Sequence, residues 1–382
     1  MTNNYKRIIL IGPMPPYRGG IARFSASLAE QLLELGHDVN VISFRKQYPK
    51  LLYPGKTEKD YSQSMSIADT KFVFSPLNPK DWSMTLKQIK CFQPDLVIDQ
   101  WWTTFWAPAT SWLIHKLNKA RINTKILIHN AFPHESTKLD KKLTSWALRG
   151  GRSFVTMTEL QAEYLRDAVG PQAEIVTVPH PIYKQFPVSG LSKVEVRKRI
   201  GLPLEVPVAL FFGFVRPYKG LRVLLDAMAI LKSENINIHL VIAGEFWDDQ
   251  AVYEKQIVKL GIEDMVTIQA NYIPDSEAGL YFEAADLFVA PYIDGTQSGS
   301  IKVAMSYQLP MVVTDAVVDG LLDSLHYQYV VVPHGTAPSL AKGIRKALKL
   351  SLSTVTNDQL GRESWARFIC QLLSCSSQEN KG

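Results

Sequence analysis

The sequence predicts an α/β protein built as two domains, each a parallel sheet wrapped by helices. Three observations carry this. Strand-like apolar runs alternate with amphipathic helical patterns along the whole chain, as parallel architectures require. The 382 residues, 46% of them hydrophobic, suffice for two sizeable cores. A Pro179-His180-Pro181 string then marks the exit from the first set of strands, before a second set begins.

Arg7–Gly12 reads as the first strand, followed by a Pro/Gly loop and a helix from about Ile21 to Leu35. Gly36 ends that helix as a left-handed C-terminal residue would. Asp38–Phe44 is the second strand. Residues 45–82 are polar and turn-rich with little periodicity, and read as a long insertion. Asp95–Asp99, Lys125–His129, Ser153–Met157 and Glu174–Val178 complete the first sheet. Residues 184–200 form a polar connector and helix. The second sheet opens at Val208–Phe214 and continues through His239–Ala243, Met265–Gln269, Leu287–Ala290, Met311–Thr314 and Tyr329–Val332. An amphipathic helix at about Asp358–Leu373, containing Ser364-Trp365, comes last.

Bulk properties exclude several classes. The formal charge of +6 is a mild basic excess, suited to phosphorylated substrates or anionic lipid and too weak to imply nucleic acid. Cys91, Cys370 and Cys375 have neither metal-ligand spacing nor the makings of a disulfide framework, which points to a reducing, cytoplasmic setting. The opening MTNNYKRIILIG enters a strand directly and does not read as a signal peptide. Leu96–Leu117 is the most apolar long stretch. Asp99, Gln100, Pro108 and His115 interrupt it, so any membrane contact is expected to be peripheral.

The chemistry concentrates where strands end. FGFVRPYKG, residues 212–220, places Arg216 and Lys219 between a strand and a helix, where strand C-termini and helix N-termini together favour anions. After Ala290 comes PYIDGTQSGS, in which Ser and Thr can cap the next helix and Gly299 permits close backbone approach. NYIPDSEAGLYFEAAD, residues 271–286, offers Tyr272 and Ile273 beside that loop. In the first domain Gly19 and Gly20 precede the first helix, without a dinucleotide or P-loop fingerprint. His129 ends a strand, and His134 and Glu135 follow in HNAFPHE. Four aromatics crowd QWWTTFW, residues 100–106, fitting either a core patch or a stacking surface. Lys138, Lys141, Lys142, Arg149 and Arg152 flank an apolar stripe, Leu139–Leu148, that either packs on the domain or rests on anionic lipid. No Asp-x-Asp or metal-ligand cluster appears, so no metal and no cofactor are expected.

These strings together resemble retaining glycosyltransferases of family 4 (glycosyl transferases group 1). FG-x-x-R-x-x-KG, the PP-x-x-GG loop, YIPD-x-E…YF-x-AAD and TQSG…LP-x-VVTD carry the resemblance over nearly the whole chain. It implies a GT-B fold, two Rossmann-like domains facing across a cleft. Residues 1–184, joined by the terminal helix at about 358–375, would form the acceptor domain, and residues 185–357 the donor domain. It implies transfer of a sugar from a nucleoside-diphosphate sugar to a glycan or glycolipid hydroxyl with retained configuration. Arg216 and Lys219 would grip the diphosphate, with His129 near the reactive sugar. Donor contacts would come from Gly19, Gly20, Tyr272, Ile273, Asp294, Thr296, Gln297, Ser298, Gly299 and Ser300. The acceptor would meet Trp102, Phe105, His134 and Glu135, and the protein would be cytoplasmic, either free or peripheral at the inner face of the membrane. One departure stands out. The family's two glutamates eight positions apart align with Gly295 and Val303, leaving Asp294 as the nearest substitute carboxylate. A sugar-nucleotide-binding protein without catalysis, or a sugar-nucleotide epimerase of the same shape, stays open as an alternative.

Overall fold

The computed structural model describes residues 5–47, 57–61, 67, 69–132, 137–295, 297–318, 327–350 and 357–374. The chain divides into two compact units. One runs to His180 and resumes at Ser364; the other spans Pro181–Glu363.

In the first unit seven strands pair in parallel in the order β3-β2-β1-β4-β5-β6-β7. They are β1 (Arg7–Ile11), β2 (Asp38–Phe44), β3 (Lys71–Phe74), β4 (Leu96–Trp101), β5 (Thr124–Ile128), β6 (Ser153–Thr156) and β7 (Glu174–Thr177). Five helices cross between them: α1 (Gly20–Glu34), α2 (Pro79–Phe92), α3 (Ala107–Lys119), α4 (Lys138–Leu148) and α5 (Glu159–Val169). The central strands are covered on both faces, which is why β1 and β4 read as nearly unbroken apolar runs. Gly36, at φ +85°, turns the chain out of α1 as its position suggests.

The expected long insertion over residues 45–82 needs correction. Residues 48–56, 62–66 and 68 lie outside the described residues, but Lys71–Phe74 is an edge strand on β2. With four residues and only Phe74 buried, it is too short for a period-2 pattern to stand out. Asn78 then caps α2 through its side chain, with Pro79 at the first helical position.

The second unit repeats the plan with six parallel strands in the order β10-β9-β8-β11-β12-β13. They are β8 (Val208–Phe212), β9 (His239–Ala243), β10 (Val266–Gln269), β11 (Leu287–Ala290), β12 (Met311–Thr314) and β13 (Tyr329–Val332). The helices are α6 (Lys193–Arg199), α7 (Leu221–Ser233), α8 (Gln250–Leu260), α9 (Asp275–Ala284), α10 (Gly299–Ser306) and α11 (Ala337–Ala347). The strand expected to reach Phe214 stops at Phe212, because Gly213 at φ +109° breaks the extended backbone. A last helix, α12 (Asn357–Leu373), places Trp365 and Phe368 on Phe24 of α1, at ring separations of 5.4 and 5.5 Å.

In each sheet the strand order reverses once, between β1 and β4 and between β8 and β11. Doubly wound sheets bind ligands outside the strand C-termini at such switch points.

Candidate functional site

At the second unit's switch point, the segments after β8 and β11 are locked together. Gly220 sits at φ +70°, and a Cβ there would fall 1.9 Å from the Pro291 carbonyl oxygen. Only glycine lets the two backbones pass so closely. The N–H groups of Ile293 and Asp294 donate to the Tyr218 carbonyl at 2.8 and 3.4 Å. Gly244, after β9, presses on the Gly213 carbonyl, where a Cβ would stand at 2.1 Å. The site is thus built on three strand ends that hold one another.

Arg216 and Lys219 emerge from this frame differently. Arg216 is half-buried, its guanidinium 5.2 Å from the Tyr218 ring and 5.9 Å from the Trp247 ring. Trp247 stacks on Phe214 at 4.3 Å, and Phe214 on Tyr272 at 6.4 Å. Lys219 is buried, with its ammonium 5.5 Å from the centre of the Tyr292 ring and within hydrogen-bonding reach of the phenol. Burial alone would push the ammonium toward neutrality, but the Tyr292 and Tyr218 phenols more than reverse this, and its pKa is raised. Burial likewise opposes ionisation of the Tyr292 phenol, yet the Lys219 charge and the hydroxyls of Ser298 and Ser300 lower its pKa overall. The pair keeps a cation in a buried place.

The helix start beyond β11 differs from the expected cap. Ser298 occupies the N-cap position of α10 without capping it. Its hydroxyl instead meets the Tyr292 hydroxyl at 3.0 Å and that of Ser300 at 2.9 Å, and Ser300 also reaches Tyr292 at 3.2 Å. The first N–H groups of α10 thus have no side-chain cap, an arrangement that suits an anion. Gly299 has room for a Cβ at ordinary contact distance, 3.4 Å from Tyr183. Thr296 lies outside the described residues, while Gln297 is half-buried at the same turn.

The positions of the missing glutamates are shaped against them. Gly295 is at φ +152°, and a Cβ there would come within 2.9 Å of Val317. Val303 is buried in the apolar face of α10. Asp294 is exposed, the nearest carboxylate along the loop. Ile273 needs correction as a pocket wall. Its side chain is buried, so only its backbone and the half-buried Tyr272 ring can line a ligand site.

The first unit's switch point has another character. Gly19 is at φ +107° ahead of α1, whose N-terminus has no side-chain cap and no acidic residue in its first turn. Gly20 has open space where a Cβ would be. His129 is buried, its Nε2 2.7 Å from Oε1 of Gln100, which also accepts from the Ser25 hydroxyl at 3.0 Å. Burial, with a contribution from His180, drives the His129 pKa down to about 3, so the ring is neutral near pH 7. Reading the sequence passed over Gln100 and Ser25. Their signal is Gly12, where a Cβ would collide with the Gln100 amide at 2.2 Å.

The aromatic string also needs correction. Trp102 is buried in the core with Phe44 and Trp106, at 5.3 and 5.8 Å, and presents no face to an acceptor. Phe105 is half-buried against the same cluster. Aromatics at a strand end were drawn inward because α3 begins immediately, at Ala107, and closes over them. His134 and Glu135 lie outside the described residues.

Known proteins resemble this architecture in family pattern, sequence and fold. The model for glycosyltransferase family 4 matches residues 18–185, and that for glycosyl transferases group 1 matches residues 192–363. Residues 192–363 belong to the group 1 glycosyltransferases, and residues 18–185 to glycosyltransferase family 4. The chain is 25% identical over 223 residues to 2-deoxystreptamine glucosyltransferase of Streptomyces kanamyceticus, covering 57% of each chain. It therefore spans little more than half of that relative. A D-inositol 3-phosphate glycosyltransferase of Thermobifida fusca is 24% identical over 396 residues, covering 93% of this chain and 90% of the relative. Among solved structures, Anabaena HepE in complex with UDP-glucose has a TM-score of 0.67 at 15% identity, covering 96% of each chain. At that identity the likeness is one of fold: the chain has a GT-B fold with two Rossmann-like domains.

Among the described residues, no helix is long and apolar enough to cross a membrane, and no group of three His, Cys, Asp or Glu could hold a metal ion. On α4, Leu139 and Trp146 are exposed. Lys141, Lys142, Ser145, Trp146 and Arg149 line a hollow of about 320 Å³ on that helix.

Proposed function

We propose that the protein transfers a sugar from a nucleoside-diphosphate sugar to a hydroxyl of a glycan or glycolipid, retaining the anomeric configuration. The observation that carries this reading is the buried, charged Lys219 beside Arg216, at a switch point that also offers the uncapped start of α10. HepE, solved with UDP-glucose, supports a nucleoside-diphosphate donor. In the reaction the bond from the donor's anomeric carbon to diphosphate oxygen breaks. The acceptor oxygen bonds to that carbon, and the acceptor proton leaves to the released diphosphate. Arg216, Lys219 and the α10 N–H groups would stabilise the charge on the leaving group, preorganised before it develops. Two cations can balance much of the diphosphate charge, so turnover is expected to survive EDTA.

The test is a panel of UDP-, GDP-, ADP- and dTDP-sugars with lipid-linked and free glycan acceptors. Nucleoside diphosphate release would report turnover, and NMR of the product its anomeric configuration. No release with any donor would overturn the enzymatic reading. Binding without release would favour a non-catalytic sugar-nucleotide-binding protein, the reading that Gly295 and Val303 support. The acceptor is read as membrane-held because α4 exposes Leu139 and Trp146 among basic side chains, a pattern that suits an anionic surface.

A further inference from the structure

We propose that Tyr292 is a positioning residue, whose phenol, clamped by Ser298 and Ser300, fixes the Lys219 ammonium where the donor's diphosphate must bind. The proposal rests on the donor reading given above and goes beyond it, because that reading gives this tyrosine no part. Four features converge on it. The Lys219 ammonium lies against Gly213, where a Cβ would stand 3.1 Å from it and crowd the side chain's end. The Tyr292 ring forms the opposite wall at 5.5 Å, a cation–π contact. The phenol is held in turn by two hydroxyls, one of them from the N-cap residue Ser298, which makes no capping bond to α10. Thr314 donates to the Tyr292 carbonyl at 2.6 Å, fixing the backbone from β12 as well.

The arrangement answers a problem set by the chain itself. A lysine this deeply buried loses its charge unless a partner compensates for desolvation. A carboxylate at position 295 is sterically disfavoured, and Asp294 is exposed to solvent. The Tyr292 phenol, which accepts a hydrogen bond from the ammonium, joins Tyr218 in offsetting burial and the repulsion of Arg216, without a permanent negative charge that would repel a diphosphate. Ser298 and Ser300 tie the same phenol to the start of α10, so the cation and the helix N-terminus are aligned as one anion-binding unit.

Tyr292→Phe keeps the ring and deletes only the hydroxyl. The first measurement needs no donor: competitive labelling of Lys219 with acetic anhydride as a function of pH, read by mass spectrometry. The labelling midpoint should fall by at least one pH unit in Tyr292→Phe, and by a smaller amount in Ser298→Ala/Ser300→Ala, with thermal midpoints near wild type. The second measurement is calorimetric binding of UDP, ADP and GDP. The nucleotide that wild type binds best should bind Tyr292→Phe at least fivefold more weakly at pH 7, and the deficit should grow toward alkaline pH. A purely structural tyrosine would weaken binding equally at all pH values. An unmoved labelling midpoint in a folded variant would overturn the proposal, as would a pH-independent loss of affinity. Should Tyr292→Phe fail to fold, the serine double variant decides by the same criteria. If wild type binds none of the three nucleotides, the donor reading falls and the positioning role with it. A shifted labelling midpoint would then establish the Tyr292–Lys219 coupling alone.

Discussion

The two switch points share a topology and differ in electrostatics. Beyond β8 and β11 stands a buried cation whose charge is actively maintained, Lys219, beside a guanidinium spread over two aromatic rings. In the first unit burial works the other way on two groups: His129, after β5, is pushed down to about 3, and Asp99, within β4, is pushed up to about 7, while Arg18 and Arg23 flank the start of α1. One crevice holds a buried cation; the other holds a neutral hydrogen-bonding network of Gln100, Ser25 and His129 behind the start of α1. The same fold therefore tells little about charge. The chemistry lies in the few residues after each strand, and in whether burial there is offset by a partner.

The largest effects should come from breaking the charged side. Arg216→Ala and Lys219→Ala should each lower transfer at subsaturating donor about ten- to a hundredfold, equivalent to about 1.5–3 kcal/mol, while the fold is kept. Steady-state kinetics with circular dichroism as a folding control checks this. Wild-type turnover in both variants would erase the contrast between the crevices.

The neutral side predicts pH-dependent stability. Asp99 has one buried carboxylate oxygen without a hydrogen-bond partner among the described residues. Its folded pKa of about 7 lies above its ordinary value, so the proton favours the native state and ionisation costs stability as pH rises from about 4 to 7. Asp99→Asn should then stabilise the protein at pH 7 by roughly 1–3 kcal/mol and give no gain below pH 4. His129 acts in the opposite sense. Its folded pKa is depressed, so its stability contribution is complete above its ordinary value of 6.5 and is lost as pH falls toward 3. Between pH 4 and 6.5 the two oppose each other. Removing Asp99 should unmask the His129 slope, with thermal midpoints that fall steadily on acidification. A flat profile in Asp99→Asn would show that His129 is not buried neutral.

The smallest effect concerns α4. Replacing Leu139 and Trp146 together by Ser should reduce sedimentation with anionic vesicles severalfold and leave binding of free nucleotide unchanged. Loss of nucleotide binding in that variant would mean the helix serves the fold rather than a surface.

Much of the fold was legible in the chain because parallel strands buried on both faces read as dense apolar runs. Ile8–Ile11, Leu96–Ile98 and Leu240–Ala243 are buried where the pattern placed them. Lys71–Phe74 escaped notice because an edge strand of four residues, with one buried side chain, has no period to display. The glycines of FGFVRPYKG and the basic pair were equally visible, since backbone freedom and charge are properties of residue type. Trp102 and Ile273 were not, because exposure depends on what packs over a side chain, and α3 begins only a few residues after Trp102.

Ser298 shows the limit most sharply. Alone it is a helix cap, and only the arrival of Tyr292 from the end of β11 turned its hydroxyl away from the α10 backbone. The sequence by itself determined the two parallel sheets, their switch-point loops and the cations in them. Tertiary structure alone decided which of those groups are buried, which are charged and which hydroxyl bonds to which. Periodicity and residue type act locally along the chain, whereas desolvation and hydrogen-bond partnership arise between segments that meet only on folding.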